Sequence, residues 1–258
     1  MKVTILGSGT SIGVPQIGCH CEVCTSTDPH DKRLRCSALV EHEGVRILID
    51  CGPDFRQQMM RYSDYLPIDA VLVTHEHYDH VGGIDDLRPF CKFRDIPIYA
   101  EDTTAQKLMS RMPYCFVKQL YPGVPKIELN PVAVGKTFEV TGLNGKSIEI
   151  IPFRVIHGPL PILGFRIGKM AWITDMLTIP DETYPLLEHL DLLFMNALRT
   201  TPHWTHQSLG EALQQVEKIH PRSTYLIHMS HEIGRHATTA GNLRENVYLT
   251  YDGMTISL

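Results

Sequence analysis

An α/β fold, two packed mixed sheets with helices on their outer faces, is predicted by three features of the sequence. Short β-branched runs recur along the chain, helical stretches fall between them, and no repeat, low-complexity segment or Gly/Ser linker divides the 258 residues. The strand-length runs are Val3–Leu6, Ala38–Glu41, Val45–Asp50, Ala70–Thr74, Ile96–Ala100, Ile148–Ile156, Met170–Asp175, Leu192–Ala197, Thr224–Met229, Val247–Tyr251 and Met254–Leu258, each bounded by turn residues. Helices are expected over Phe55–Tyr62, Thr103–Arg111, Glu182–Leu190 and Ser208–Ile219. The last carries Leu209, Ala212, Leu213, Val216 and Ile219 at helical spacing, and Ser208 with Glu211 forms a capping box. The expectation is one domain spanning residues 1–258.

Composition narrows the function classes. The chain is 43% apolar and 21% charged, which excludes disorder, collagen-like repeats and coiled coil. A net charge of −5 provides no global basic field for nucleic acid, so a large RNA is disfavoured. Too few apolar residues precede Gly7 for a signal-peptide core, and no long apolar run is present, so a cytoplasmic protein without membrane contact is expected. Cysteine usage agrees: there are seven, and Cys19-His20-Cys21-Glu22-Val23-Cys24 reads as metal-binding thiolates in a reducing compartment.

The densest chemistry follows the apolar strand Ala70–Thr74, which runs into His75-Glu76-His77-Tyr78-Asp79-His80-Val81-Gly82-Gly83. In extended backbone His75 and His77 point to one side and can share an ion. Asp79 and His80 stand where the chain must turn, which lets them face a second ion, and Gly82 and Gly83 permit a tight turn. A zincin helix would need histidine where Asp79 stands, so that reading fails. The plain alternative is a polar loop whose histidines face water. Four ligand-type residues at this spacing argue against it.

The motif His75-x-His77-x-Asp79-His80 resembles the signature of the metallo-β-lactamase superfamily, and the resemblance extends over almost the whole chain. It implies an αββα sandwich. Asp50 matches the aspartate that buttresses the histidine loop, and His157, Asp175 and His228 match the remaining ligands, each at a strand's C-terminal end. By that resemblance one divalent ion takes His75, His77, His157 and Asp175. A second takes Asp79, His80, His228 and the bridging Asp175, and a hydroxide shared between the ions is the nucleophile. Imidazole and carboxylate ligands suit Zn²⁺ or Mn²⁺.

The triplet Cys19, Cys21 and Cys24 requires a fourth ligand for tetrahedral zinc, and spacing alone leaves His20, Cys36, His231 or a more distant group open. The segment resembles the PhnP-type phosphodiesterases of this superfamily, together with Gly7-Ser8-Gly9-Thr10-Ser11-x-Gly13-Val14-Pro15 and Tyr251-Asp252-Gly253-Met254. That resemblance implies His231 as the fourth ligand of a structural zinc. It also places His206 near the leaving group as a general acid, with His203 as a weaker rival beside Pro202 and Trp204. A PqqB-like cofactor-biosynthesis protein shares the triplet.

A metal-dependent hydrolase acting on a small, possibly cyclic phosphodiester is therefore expected, with a small ester, lactone or thioester as the alternative. Asp175 stands where many β-lactamases have cysteine. The chain ends at Leu258 without a helical substrate domain, and residues 158–174 leave no room for a long tRNA-binding arm. Arg154, Arg166 and Arg199 are expected to be solvated or paired rather than phosphate-binding, and Thr104–Val117 to be core rather than a lid. Cys36, Cys51, Cys91 and Cys115 read as small apolar residues. The resemblance leaves a homodimer open, and no apolar stripe in the sequence argues for one.

Overall fold

The computed structural model describes residues 1–61, 64–117 and 123–258. The first sheet contains β1 (Lys2–Gly7), β2 (Ser37–His42), β3 (Val45–Ile49), β4 (Ala70–Leu72), β5 (Ile96–Glu101) and β6 (Ile127–Val132). The second contains β7 (Phe138–Thr141), β8 (Ser147–His157), β9 (Leu160–Ile167), β10 (Met170–Ile173), β11 (Leu192–Asn196), β12 (Ser223–Ile227) and β13 (Val247–Leu249). The last strand, β14 (Thr255–Ser257), returns to the first sheet and pairs antiparallel with β1. Both sheets are mixed: β1, β2 and β3 are antiparallel and β3 to β6 parallel, while β7 to β10 are antiparallel and β10 to β13 parallel.

Side-chain alternation assigns the layers. Ile47, Ile49, Ala70 and Leu72 face Ile150, Phe165, Trp172 and Phe194 across the sandwich, and all are fully buried. Their neighbours Leu48, Val71 and Val73 face outward, under α1 (Phe55–Met60) and α3 (Asp102–Arg111), with Phe55, Met59 and Leu108. On the other side Leu193, Met195 and Leu226 are covered by Ala212, Val216 and Ile219 of α4 (Leu209–Ile219). The Ser208–Glu211 capping box that starts α4 is present as the sequence implies.

Three strands escaped the sequence pattern: β6, β7 and β9. Pro131 interrupts β6, and Pro161 with Gly164 breaks the periodicity of β9, although β9 is paired on both sides. Gly164 is required there, because a Cβ would stand 2.2 Å from the Phe153 ring. The helix expected over Glu182–Leu190 is instead a 3₁₀ segment, Asp181–Leu187, with Pro185 inside it removing the donor an α-helix would use. Helix α1 stops at Met60, and the end expected at Tyr62 lies outside the described residues. The segment Thr104–Val117 is only partly core: Leu108 and Cys115 are buried, whereas Met109, Tyr114 and Val117 are exposed. Among the described residues no helix is long and apolar enough to cross a membrane.

Candidate metal centre

The site forms at the strand ends where both sheets open. After β4 the chain stays extended through His77, which caps α2 (Tyr78–Val81), and α2 carries Asp79 and His80 inward. Asp175 lies beyond the end of β10, His157 ends β8, and His228 follows β12. Asp50, Asp175 and His228 adopt φ values of 58°, 56° and 54°, a left-handed conformation that costs non-glycine residues energy. Strained strand ends of this kind, all aimed at one place, mark a site whose geometry is fixed for function.

Two groups of ligand-type atoms result, each with its atoms within 4.8 Å of one another, His75, His77 and His157, and Asp79, His80, Asp175 and His228, and a third group, His157, Asp175 and His206, overlaps both. Asp175 lies between them. Its Oδ1 is 3.2 Å from His80 Nε2 and 3.1 Å from His228 Nε2, while Oδ2 is 4.0 Å from His75 Nε2. His75 Nε2, His80 Nε2, Asp79 Oδ2 and both ring nitrogens of His228 are buried and lack a hydrogen-bond partner. Orphaned buried atoms of this kind carry a large desolvation cost, and their convergence fits a pair of divalent cations held by imidazole and carboxylate.

The imidazoles are oriented from behind. His80 Nδ1 donates to Asp50 Oδ2 at 2.8 Å, which turns Nε2 toward Asp175. Thr74 donates its backbone N–H to Asp50 Oδ1 at 2.9 Å and its hydroxyl to Oδ2 at 2.9 Å. With that proton committed, the Thr74 hydroxyl accepts from His75 Nδ1 at 3.0 Å. Likewise His157 Nδ1 donates to the Thr205 carbonyl at 2.9 Å. Thr174 donates to Asp175 Oδ1 at 2.6 Å, and Asn196 clamps the Met176 peptide through both amide atoms at 2.8 and 2.9 Å. Thr74, Thr174, Thr205 and Asn196 were not found by sequence reasoning. The available signal was a threonine directly before a ligand at the end of an apolar strand.

Charge follows the same arrangement. Burial alone would raise Asp79 and Asp175, but the neighbouring histidines hold both carboxyls below the ordinary range. Burial pushes His75 and His157 down, favouring the neutral imidazole that a metal requires. Burial likewise lowers His206, against the pull of Asp175.

His206 is 9% exposed and so faces the site rather than solvent. Its Nε2 lies 3.2 Å from Asp175 Oδ2, and its ring stacks on His228 with centroids 5.1 Å apart. Its Nδ1 meets the Thr205 hydroxyl at 2.9 Å and His203 Nδ1 at 3.3 Å. His203 is half-buried, and Trp204 beside it is 91% exposed.

The cysteine triplet gathers with His231. Cys19 Sγ is 3.4 Å and Cys21 Sγ 3.2 Å from His231 Nδ1, and Cys24 completes the group. Cys21 is lowered to about 6, chiefly by the Cys24 backbone N–H and His231, so it is poised as a thiolate. Cys24 is pushed up to about 11 by burial. The loop is joined to the ligand end of β12: Thr10 N–H donates to the Met229 carbonyl at 3.1 Å and Met229 N–H to that of Ser8 at 3.0 Å. His20 does not join this group, and Cys36 is buried beside Thr174 instead.

The three arginines are paired. Arg154 meets Glu101, Arg199 meets Glu232 at 3.0 Å, and Arg166 donates to the Leu186 carbonyl at 2.6 Å. Surface cavities of about 440 and 500 Å³ lie around Ile148 and Arg166 and around Val216 and Arg244, and share no residue with the ligand groups.

Fold and site together define a metallo-β-lactamase-type fold with ligand groups suited to divalent metal ions. The chain belongs to that superfamily: the family described as "Beta-lactamase superfamily domain" matches residues 45–229. An octanoyltransferase of Porphyromonas gingivalis is 44% identical over 256 residues, 98% of this chain but 51% of that protein. The chain spans about half the length, or less, of the first curated relatives it matches. A crystal structure of a diphosphatase from the PhnP family superposes with a TM-score of 0.90 at 40% identity, covering 99% of this chain and 96% of that one. Zn²⁺-bound PqqB from Methylobacterium extorquens shares the fold, with a TM-score of 0.82 at 20% identity over 100% of both chains. The 44%-identical relative thus carries a different name from the phosphodiesterases that the cysteine triplet resembles.

Proposed function

We propose that this chain hydrolyses small phosphorus esters or anhydrides, a phosphodiester or diphosphate linkage, with two divalent ions at the centre and a structural zinc beside it. The observation that carries this reading is Asp175, whose two oxygens face the two ligand groups while His206 Nε2 stands 3.2 Å from one of them. The similarity to a PhnP-family diphosphatase supports it. His75, His77 and His157 would hold one ion, and Asp79, His80 and His228 the other, with Asp175 between. When bound, two Zn²⁺ or Mn²⁺ ions supply Lewis acidity toward phosphoryl oxygens and lower the pKa of water. Asp79 and Asp175 keep the ligand groups in register. Asp175 Oδ2 beside Nε2 would favour the protonated imidazole of His206 against its burial, so that Nε2 can give its proton to the departing oxygen, and the Thr205 hydroxyl fixes the ring through Nδ1. Cys19, Cys21, Cys24 and His231 would bind the structural zinc, consistent with a reducing, cytoplasmic compartment.

A second reading, hydrolysis of an acyl ester or thioester, is favoured by the relative named for octanoyl transfer. One experiment separates the two. Protein loaded with Zn²⁺ or Mn²⁺ is assayed on a 2′,3′-cyclic nucleotide, bis(p-nitrophenyl) phosphate, a diphosphate diester, a lactone and an octanoyl thioester. Turnover of the phosphorus substrates is expected, with His206→Ala lowering kcat roughly 10²–10⁴-fold at unchanged metal content. Preference for the lactone or thioester would overturn the substrate class, and full activity of His206→Ala would remove that residue from the chemistry.

A further inference from the structure

Two tryptophans serve opposite purposes in this chain. Trp172 is fully buried between the sheets, whereas Trp204 is 91% exposed. Trp204 does not lie on a frayed tip. Arg199 donates to the carbonyls of Thr201 and Pro202 at 3.2 and 2.8 Å and to Glu232 at 3.0 Å, fixing the near side of the loop. On the far side the Leu198 N–H donates to the Gln207 carbonyl at 2.9 Å. Thr205 packs so closely on Gly158 that a Cβ there would stand 2.6 Å from its methyl group. The loop also belongs to the site, since the Thr205 carbonyl accepts from His157 and His206 contacts Asp175. Across His157, whose ring is 5.2 Å from that of His77, the next residue is another aromatic left open to solvent, Tyr78, at 67% exposure.

We propose that Trp204 is the stacking platform for the heterocyclic base of a nucleotide-bearing substrate, seated on the His206 side of the centre. A large indole held exposed by a clamped loop invites a flat apolar partner, and every nucleobase offers a π-face to one. The nearby cation is committed elsewhere: the Arg199 guanidinium is used by its own loop and Glu232, leaving the ring as the recognition group. Substrates would then be selected for an aromatic base on the phosphorus linkage rather than for sugar or charge. The inference rests on the phosphohydrolase reading and narrows its substrate class.

Because Trp172 is buried out of reach of any bound ligand, ligand-induced quenching of tryptophan emission reports on Trp204. Zn²⁺-loaded protein is titrated with adenosine monophosphate and, in parallel, with ribose 5-phosphate. Saturable quenching by the nucleotide alone is expected, and Trp204→Phe should abolish the signal. In hydrolysis, Trp204→Ala should lower the ratio of kcat/KM for an adenosine-capped over a methyl-capped diphosphate about tenfold, the ~1.4 kcal/mol within the range of one base stack. Trp204→Phe should recover most of that ratio. Equal quenching by both ligands, an unchanged ratio, or shielding of Trp204 from acrylamide in a dimer would overturn the proposal. Base-specific quenching without hydrolysis would sink the phosphohydrolase reading and leave the stacking intact. Hydrolysis without base-specific quenching would do the reverse.

Discussion

At the scale of single residues, Asp50 shows how much of the centre's chemistry is set one bond away from the ligands. It is fully buried and spends both oxygens on Thr74 and His80. The hydrogen bond from His80 Nδ1 decides which nitrogen is free, and the Thr74 hydroxyl passes the same instruction to His75. A group in this position tunes affinity without touching substrate. Asp50→Asn keeps the volume but replaces one acceptor oxygen with an N–H donor, which must face either His80 or Thr74. We expect Zn²⁺ affinity to fall about 10–100-fold while the fold persists. Competition with a chelating dye, read beside circular dichroism, checks this, and unaltered affinity would remove Asp50 from the control of His80.

At the scale of elements, the N-terminal loop acts as a brace. Its thiolates meet His231 in the 3₁₀ turn His231–Ile233, three residues beyond His228, and its backbone pairs with Met229 between them. Fixing this loop therefore fixes the end of β12 that presents His228. Cys21→Ser should bind about one equivalent of Zn²⁺ less than the parent and melt at lower temperature, because metal bound only by the folded chain stabilises it. Equal zinc content by atomic absorption would refute the assignment of the triplet. The sequence made this element legible because three cysteines two and three apart can turn their thiolates to one ion. It also exposed most strands and the ligand histidines, since alternation and strand ends are local properties. It could not show β6 and β9, where Pro131, Pro161 and Gly164 mask a pairing that only the neighbouring strands supply. Nor could it show that the Thr205 carbonyl would meet His157, 48 positions away, because that contact exists only once the sheets are stacked.

At the scale of the whole molecule, the centre joins the two sheets. His75, His77, Asp79 and His80 come from the first sheet, and His157, Asp175 and His228 from the second. Beneath them Phe165 and Trp172 of one sheet pack on the inner faces of the other. Bound metal should therefore act as a cross-sheet tie whose contribution is independent of the packing below it. An ion at ~100 times its dissociation constant adds about 2.7 kcal/mol, and a chain of this size gains ~2–4 °C per kcal/mol, so chelation should lower Tm by about 5–10 °C for each ion removed. Phe165→Ala should cost about 3–5 kcal/mol through the lost contacts and the cavity. That variant should still show the full chelation shift, because the two effects act at separate places. His157→Ala should shrink the shift while leaving the metal-free Tm nearly intact, since the ring contributes little to the core and one hydrogen bond to a loop. Calorimetry of the three proteins with and without chelator tests the arrangement. A chelation shift in His157→Ala as large as the parent's would remove His157 from the ligand set and leave the cross-sheet tie to Asp79, His80, Asp175 and His228 alone.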